Sequence, residues 1–424
     1  MAIITRRSSS TNKTITFNGY TGDLVPEISD GLGKAPIPNP LSAARYTLAA
    51  TYVGNYALFG GGWDNDTSGD SSDYSKAVDA YDTSLNRTTP TPLSIARHSP
   101  AATHIGDYAL FGGGCDLSTT GDGSFESTIV DAYDTSLNRT TPTPLSAARE
   151  APAATHIGGY ALFGGGRDND TTGDGSGLSA VVDAYDTSLN RTTPTPLSVA
   201  IEHLAATHIG NYALFGGGRD FDKSGDGSDY SAVVDAYDTS LNRATRTPLS
   251  AVRYGLAATH VGDYALFGGG YSDSRSAVVD AYDTSLNRTT RTPLSVARTG
   301  LAATHIGDYA LFGGGYSGSG YSAVVDAYDT SLNRTAPTPL SVGRSALAAT
   351  HIGDYALFGG GQDGDTSGDG SNYSAVVDAY TTKVYKATIT LPPNVSYEFD
   401  GVSGTTTEPT DVLVGYPVYG SVTV

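Results

Sequence analysis

The sequence predicts an all-β fold, a seven-bladed β-propeller of four-stranded blades, on three observations. The string YALFGGG begins seven times, at Tyr56, Tyr108, Tyr160, Tyr212, Tyr264, Tyr309 and Tyr355, so the 424 residues form a repeat array. Inside each repeat, short β-prone runs alternate with Gly, Pro, Asn and Asp punctuation, and helical periodicity is absent. A single four-stranded sheet of this size cannot bury both faces, whereas seven in a ring cover one another and protect their edges.

The elements follow in order. In the second copy, strands are expected at 101–104, 108–112, 128–134 and 139–144, the first two joined by a tight turn at Ile105, Gly106 and Asp107. Small Ala-Ala-Thr on the first strand suits the crowded centre of a radial array, and the near-continuous apolar runs suit sheets covered on both faces. The propeller is expected over 41–391. Residues 1–40 form an N-terminal arm whose 32–41 stretch parallels LNRTTPTPL, so it is one candidate for the outer strand of the last blade. The stretch KVYKATITL, 383–391, is the other candidate. Residues 392–424 alternate Val and Tyr with polar residues and read as a small β appendage.

The repeats resemble the kelch family. A Gly run closes the second strand (Gly112, Gly113, Gly114), a Tyr lies on the third (Tyr133), and an Arg stands at the junction before the next blade (Arg149). The resemblance covers about residues 41–391 and implies the same propeller. Where kelch repeats usually carry a Trp, Thr88, Thr140 and their equivalents stand here, which bears on the packing of the outer strands.

Differences among near-identical copies fall mainly at two places. One is the residue after the Gly triplet: Trp63, Cys115, Arg167, Arg219, Tyr271, Tyr316 and Gln362. The other is the junction: Tyr46, His98, Glu150, Glu202 with His203, Tyr254, Thr299 and Ser345. In a four-stranded blade both places lie on one face, while the HIGD and YDTSLNRT turns lie on the other and barely vary. Drift would touch both faces. The variable alphabet of Trp, Tyr, Arg and His is that of binding hot spots, and kelch propellers that bind peptides use equivalent positions. A ligand-binding face is therefore expected, with a protein or glycan as partner.

The loop after the triplet carries D-x-D-x-[ST]-G in several copies, the first half of a calcium loop: alternating oxygen ligands, then a Gly for the sharp bend. The candidate ligands are Asp64 and Asp66; Asp168, Asp170 and Asp174; Asp220, Asp222 and Asp226; Asp363, Asp365 and Asp369. The bidentate Glu that ends such a loop is missing, with Ser179 or Ser231 in its place, so affinity is expected to be weak.

Composition removes other classes. Asp and Glu number 44 against 25 Lys and Arg, a formal charge of −19, which argues against a nucleic-acid partner. One Cys excludes a disulfide framework. No run approaches the ~18 apolar residues of a membrane helix, so no membrane insertion is expected. The N-terminus lacks the apolar stretch of a secretory signal, so a virion surface or otherwise a cytoplasm is the expected location. Catalysis is not expected, because Asp79 and His104 recur in nearly every blade and a catalytic group needs one distinct environment. The histidines are assigned to turns or surface. Signal-less kelch-like arrays resemble proteins of gut bacteria and their phages. That resemblance implies a non-enzymatic virion component, a head decoration or tail-associated host-recognition module, docked to other virion proteins through the terminal arms. A cytoplasmic scaffold and a sialic-acid-isomerase-like enzyme are the alternatives.

Overall fold

In the computed structural model, the described residues are 8–9, 12–17, 20–35, 37–64, 73–116, 125–168, 177–221, 229–364, 372–399, 402–415 and 420–423. No helix occurs among them. The chain divides into two compact units, Pro38–Asp378 and Met1–Ile37 with Ala379–Val424.

The first unit carries the ring of seven blades. In blade 2 the strands are Ala101–Ile105, Tyr108–Gly112, Val130–Asp134 and Arg139–Thr140, paired antiparallel in that order. The outer strand is much shorter than 139–144. Pro142 has no N–H to offer the ladder and ends the pairing after Thr140. The repeats themselves supply the control. Where Arg246 and Arg291 replace that proline, the outer strands lengthen to Arg243–Thr245 and Arg288–Arg291, and the Arg246 amide donates to the Val234 carbonyl at 2.8 Å.

The core lies between blades. Leu58, Val78 and Ala80 of blade 1 pack with Ala109, Phe111 and Tyr133 of blade 2, and the pattern repeats around the ring. The glycine that ends each YALFG strand permits this. A Cβ on Gly60 would sit 2.8 Å from the Phe111 ring, one on Gly112 2.8 Å from Phe163, and one on Gly359 2.7 Å from Phe59, which closes blade 7 onto blade 1. Buried Tyr133 donates its hydroxyl to the Thr91 carbonyl at 2.8 Å, tying blade 2 to the preceding segment.

The long element Val377–Leu391 pairs with Tyr20–Lys34: Lys34 stands opposite Tyr380 and Gly33 opposite Thr381. Arg87 opposite Tyr81 is the same register in blade 1. Residues 383–391, the other candidate, continue beyond and pair partly with Thr410–Gly415. The terminal unit also holds a small sheet of Val402–Thr405, Ser396–Phe399 and Gly420–Thr423.

Candidate functional site

The variable residues are placed by a repeated backbone device. After the Gly triplet, each chain forms bridges on both sides: Tyr46 with Trp63 and Trp63 with Tyr74; Glu150 with Arg167 and Arg167 with Leu178; Tyr254 with Tyr271 and Tyr271 with Arg275. Every blade thus ends in a row of three residues, one from the junction, one after the triplet and one before the third strand. The triplet makes the turn. Its second and third glycines hold φ near 70° and 101–113°, and a Cβ on Gly113 would meet the Arg149 carbonyl at 2.7 Å.

The third member of each row is not among the positions singled out above: Tyr74, Glu126, Leu178, Tyr230, Arg275, Tyr321 and Tyr373. The signal was present, since the residue before the repeated Ser of the SAVVD string also changes from copy to copy.

Beneath the rows, six of the seven blades share the same floor. The junction arginines are wholly buried and pair with the third-strand aspartates, Arg45 with Asp79 at 2.7 Å, Arg97 with Asp131 at 2.9 Å and Arg253 with Asp280 at 2.8 Å. Burial pulls the Arg97 guanidinium below its ordinary range, against the attraction of Asp131. Blade 4 departs from this, because Ile201 stands where the others have Arg. Its Asp235 is held instead by Arg243 and Thr245, both at 2.8 Å, and by the Ser198 hydroxyl at 2.8 Å. Thr245 reaches it because the outer strand of that blade is extended.

On this floor the aromatics cluster. Tyr46 stacks on Tyr373 at 4.8 Å, and Trp63 lies 4.9 Å from Tyr74 and 5.5 Å from His98. Across blades 4 and 5, Tyr230 stacks on Tyr254 at 5.2 Å, with Tyr271 5.8 Å from Tyr254. Arg275 bridges to blade 6, 4.8 Å above the Tyr316 ring, and Tyr321 completes that pair at 5.5 Å. Between the first two clusters runs a charged belt: Arg167 is 3.8 Å from Glu126, and Arg219 is 3.9 Å from Glu202. Burial raises the Glu150 carboxyl and lowers His98 to about 4. Gln362 and most of the row residues are half-buried, and Arg167 is exposed.

His203 sits apart from the rows. It belongs to a ring of residues at the axial mouth with Thr47, Ser99, Ala151, Gly255, Gly300 and Ala346, all at φ 50–64°. Their backbones are linked from blade to blade: the Ser99 amide donates to the Thr47 carbonyl at 2.9 Å, and the Ala346 amide to Gly300 at 2.8 Å. These residues line an axial cavity of about 400 Å³.

Of the candidate calcium ligands, Asp64, Asp168, Asp220 and Asp363 are buried directly after the rows. Asp66, Asp170, Asp174, Asp222, Asp226, Asp365 and Asp369 lie outside the described residues. Among the described residues, no three His, Cys, Asp or Glu side chains could close around one metal ion.

The repeated histidines are neither turn residues nor plain surface. Tyr52, His104, His156, His208, His260, His305 and His351 form a closed ring about the axis, with neighbouring centroids 4.0–4.4 Å apart all the way round. Successive planes turn by 41–53°, near the about 51° of seven-fold rotation for rings standing parallel to the axis. The Tyr52 hydroxyl lies 2.8 Å from His104 Nε2. Burial, then mutual repulsion, lowers His104 and His351 to about 4, His305 to about 3, and His156 and His260 to about 2.

No family model matches the chain. No curated protein matches it either. Among solved structures it is similar to the one titled "Structure of YjhT", at 12% identity over 83% of this chain and 97% of that chain, with a TM-score of 0.49. The fold is a seven-bladed β-propeller.

Proposed function

We propose that this protein is a non-catalytic binding and structural protein, a virion component whose row-bearing end grips a protein or glycan on a surface. Segments 1–40 and 392–424 attach it to neighbouring virion proteins. The observation that carries the binding role is the bridged row: three variable positions per blade stand side by side at one end, over a floor that six of the seven blades share. The aromatic clusters around Trp63 and Tyr254 present rigid aromatic area at little entropic cost, suited to peptide side chains or sugar faces. The kelch-like repeat supports the choice of end.

Substituting Trp63, Arg167, Tyr271 and Tyr316 together with Ala is expected to abolish binding to the partner surface while leaving the fold intact, read by cell or glycan binding and by Tm. Binding that survives this and is lost instead on altering the HIGD turns would place the ligand at the other end. Co-purification with particles, lost on removing a terminal segment, tests the attachment. A protein found free in lysate would favour the scaffold.

The Asp-rich loops are proposed as weak calcium sites, on their D-x-D-x-[ST]-G pattern. Saturating calcium is expected to raise Tm by about 2–4 °C, reversed by chelator. An unchanged Tm in both directions sinks the idea.

A further inference from the structure

The imidazole ring has no part in the binding reading above, yet it places six potential N–H donors and the Tyr52 hydroxyl around one point. Neighbouring centroids about 4.2 Å apart in a regular seven-membered ring put each centroid about 4.8 Å from the axis. A ring nitrogen lies about 1.2 Å from its centroid, so even one aimed at the axis stays about 3.6 Å away, far beyond the ~2.0–2.1 Å of a zinc–imidazole bond. A metal on the axis is thereby excluded. The same distance suits a tetrahedral oxyanion: an oxygen about 1.5 Å from the central atom, hydrogen-bonded at about 2.8 Å, places the donor roughly 3.6–4.3 Å from that atom. The ring and the adjacent Ala and Thr residues line a cavity of about 150 Å³, ample for such an ion.

We propose that the ring is an axial binding site for a small inorganic oxyanion, phosphate or sulfate, held by imidazole N–H donors of several blades and taken up together with protons. Neutral N–H groups converging from different elements bind anions without a formal positive charge. The anion then relieves the repulsion that opposes protonation of the ring, so binding and proton uptake reinforce each other. The inner strands and the YALFG strands behind them bring no acidic side chain to the ring. The acidic groups nearby in sequence are Asp107, Asp263, Asp308 and Asp354 on the flanking turns. All four are solvent-exposed, where ordinary salt screens them within about 8–10 Å.

The test is calorimetry with inorganic phosphate on the full chain at pH 7.5 and pH 5.5, in buffers of different ionisation enthalpy, with imidazole NMR alongside. Expected are one ion per chain, tighter binding at the lower pH, a heat that depends on the buffer because protons are taken up, and shifts in six of the eight histidine spectra, His98 and His203 excepted. A bulky phosphomonoester is expected not to bind, which separates a free ion from a phosphorylated ligand. The double variant His208→Leu with His260→Leu should bind at least about tenfold more weakly. Absence of heat and of imidazole shifts in the wild type up to about 10 mM phosphate overturns the proposal, whatever the variants do. So does unchanged affinity in a double variant that keeps its Tm.

Discussion

The two ends of the inner strands treat repetition in opposite ways. At the junction end, seven copies carry seven different rows, Tyr46–Trp63–Tyr74 in blade 1 and Glu202–Arg219–Tyr230 in blade 4, over a floor that in every blade but the fourth is a buried Arg–Asp pair. At the turn end, six copies carry the same histidine and one carries Tyr52. A residue that varies acts where it stands. A residue repeated about an axis meets its own copies, and its properties become those of the ring: six imidazoles that repel one another's protons are one coupled acid, not six independent ones.

The floor is where the comparison breaks most easily. Arg97→Ile leaves Asp131 buried with the Ser94 amide at 3.1 Å and, as its remaining cation, the more distant Arg139 at 3.7 Å, and is expected to cost about 3–5 kcal/mol, read by denaturant unfolding. Blade 4 carries the same isoleucine and keeps Asp235 paired through its extended outer strand. Adding Pro142→Arg to Arg97→Ile should therefore recover about 1 kcal/mol by extending the blade 2 strand towards Asp131. Equal stability of the single and double variants would show that strand extension does not serve the aspartate.

The turn end predicts acid sensitivity. The ring histidines are lowered in the folded protein, two of them to about 4, against about 6.5 in the unfolded chain. Between those values the unfolded chain binds protons that the folded one refuses, so stability falls as pH falls from about 6.5 towards 4. The turn aspartates act in a separate window. Hydrogen bonds from Asn190, Asn242 and Asn287 lower Asp186, Asp238 and Asp283, and the stability they add is lost only below about pH 3.9. In phosphate-free buffer, Tm is expected to decline already between pH 6.5 and 4.5, and less steeply in His156→Gln with His260→Gln. A flat Tm over that range would separate the ring from folding stability.

Pro142→Arg alone gives the smallest effect, a few tenths of a kcal/mol of stabilisation from a longer outer strand. It is best read by protection from exchange of the new amide that the substitution introduces at position 142.

Much of this was legible in the residues, because Gly and Pro act locally. The YALFGGG copies marked the blade count, and the triplet's turn follows from its glycines. The outer strands were overextended because Pro142 sits in a stretch that otherwise reads as β. Tyr74 and its equivalents escaped notice because their variation lies beside a loop that varies in length, where only the bridge to Trp63 reveals alignment. The histidine ring could not be read from one repeat at all, since convergence on an axis is a property of seven copies arranged in space. The pairing of Tyr20–Lys34 with Val377–Leu391 likewise joins distant parts of the chain.

The Gly359–Phe59 contact also sets a schedule. Phe59 leaves the ribosome 300 residues before the glycine it will face, which at roughly 5–20 residues per second is about 15–60 s of waiting. Meanwhile every newly made blade offers the same glycine to the same phenylalanine, because the repeats are near copies. Nothing in that local fit counts to seven. The count comes from curvature, and at high chain concentration the open end of one array can meet the open start of another, so refolding at low concentration should favour closed monomers over linked chains.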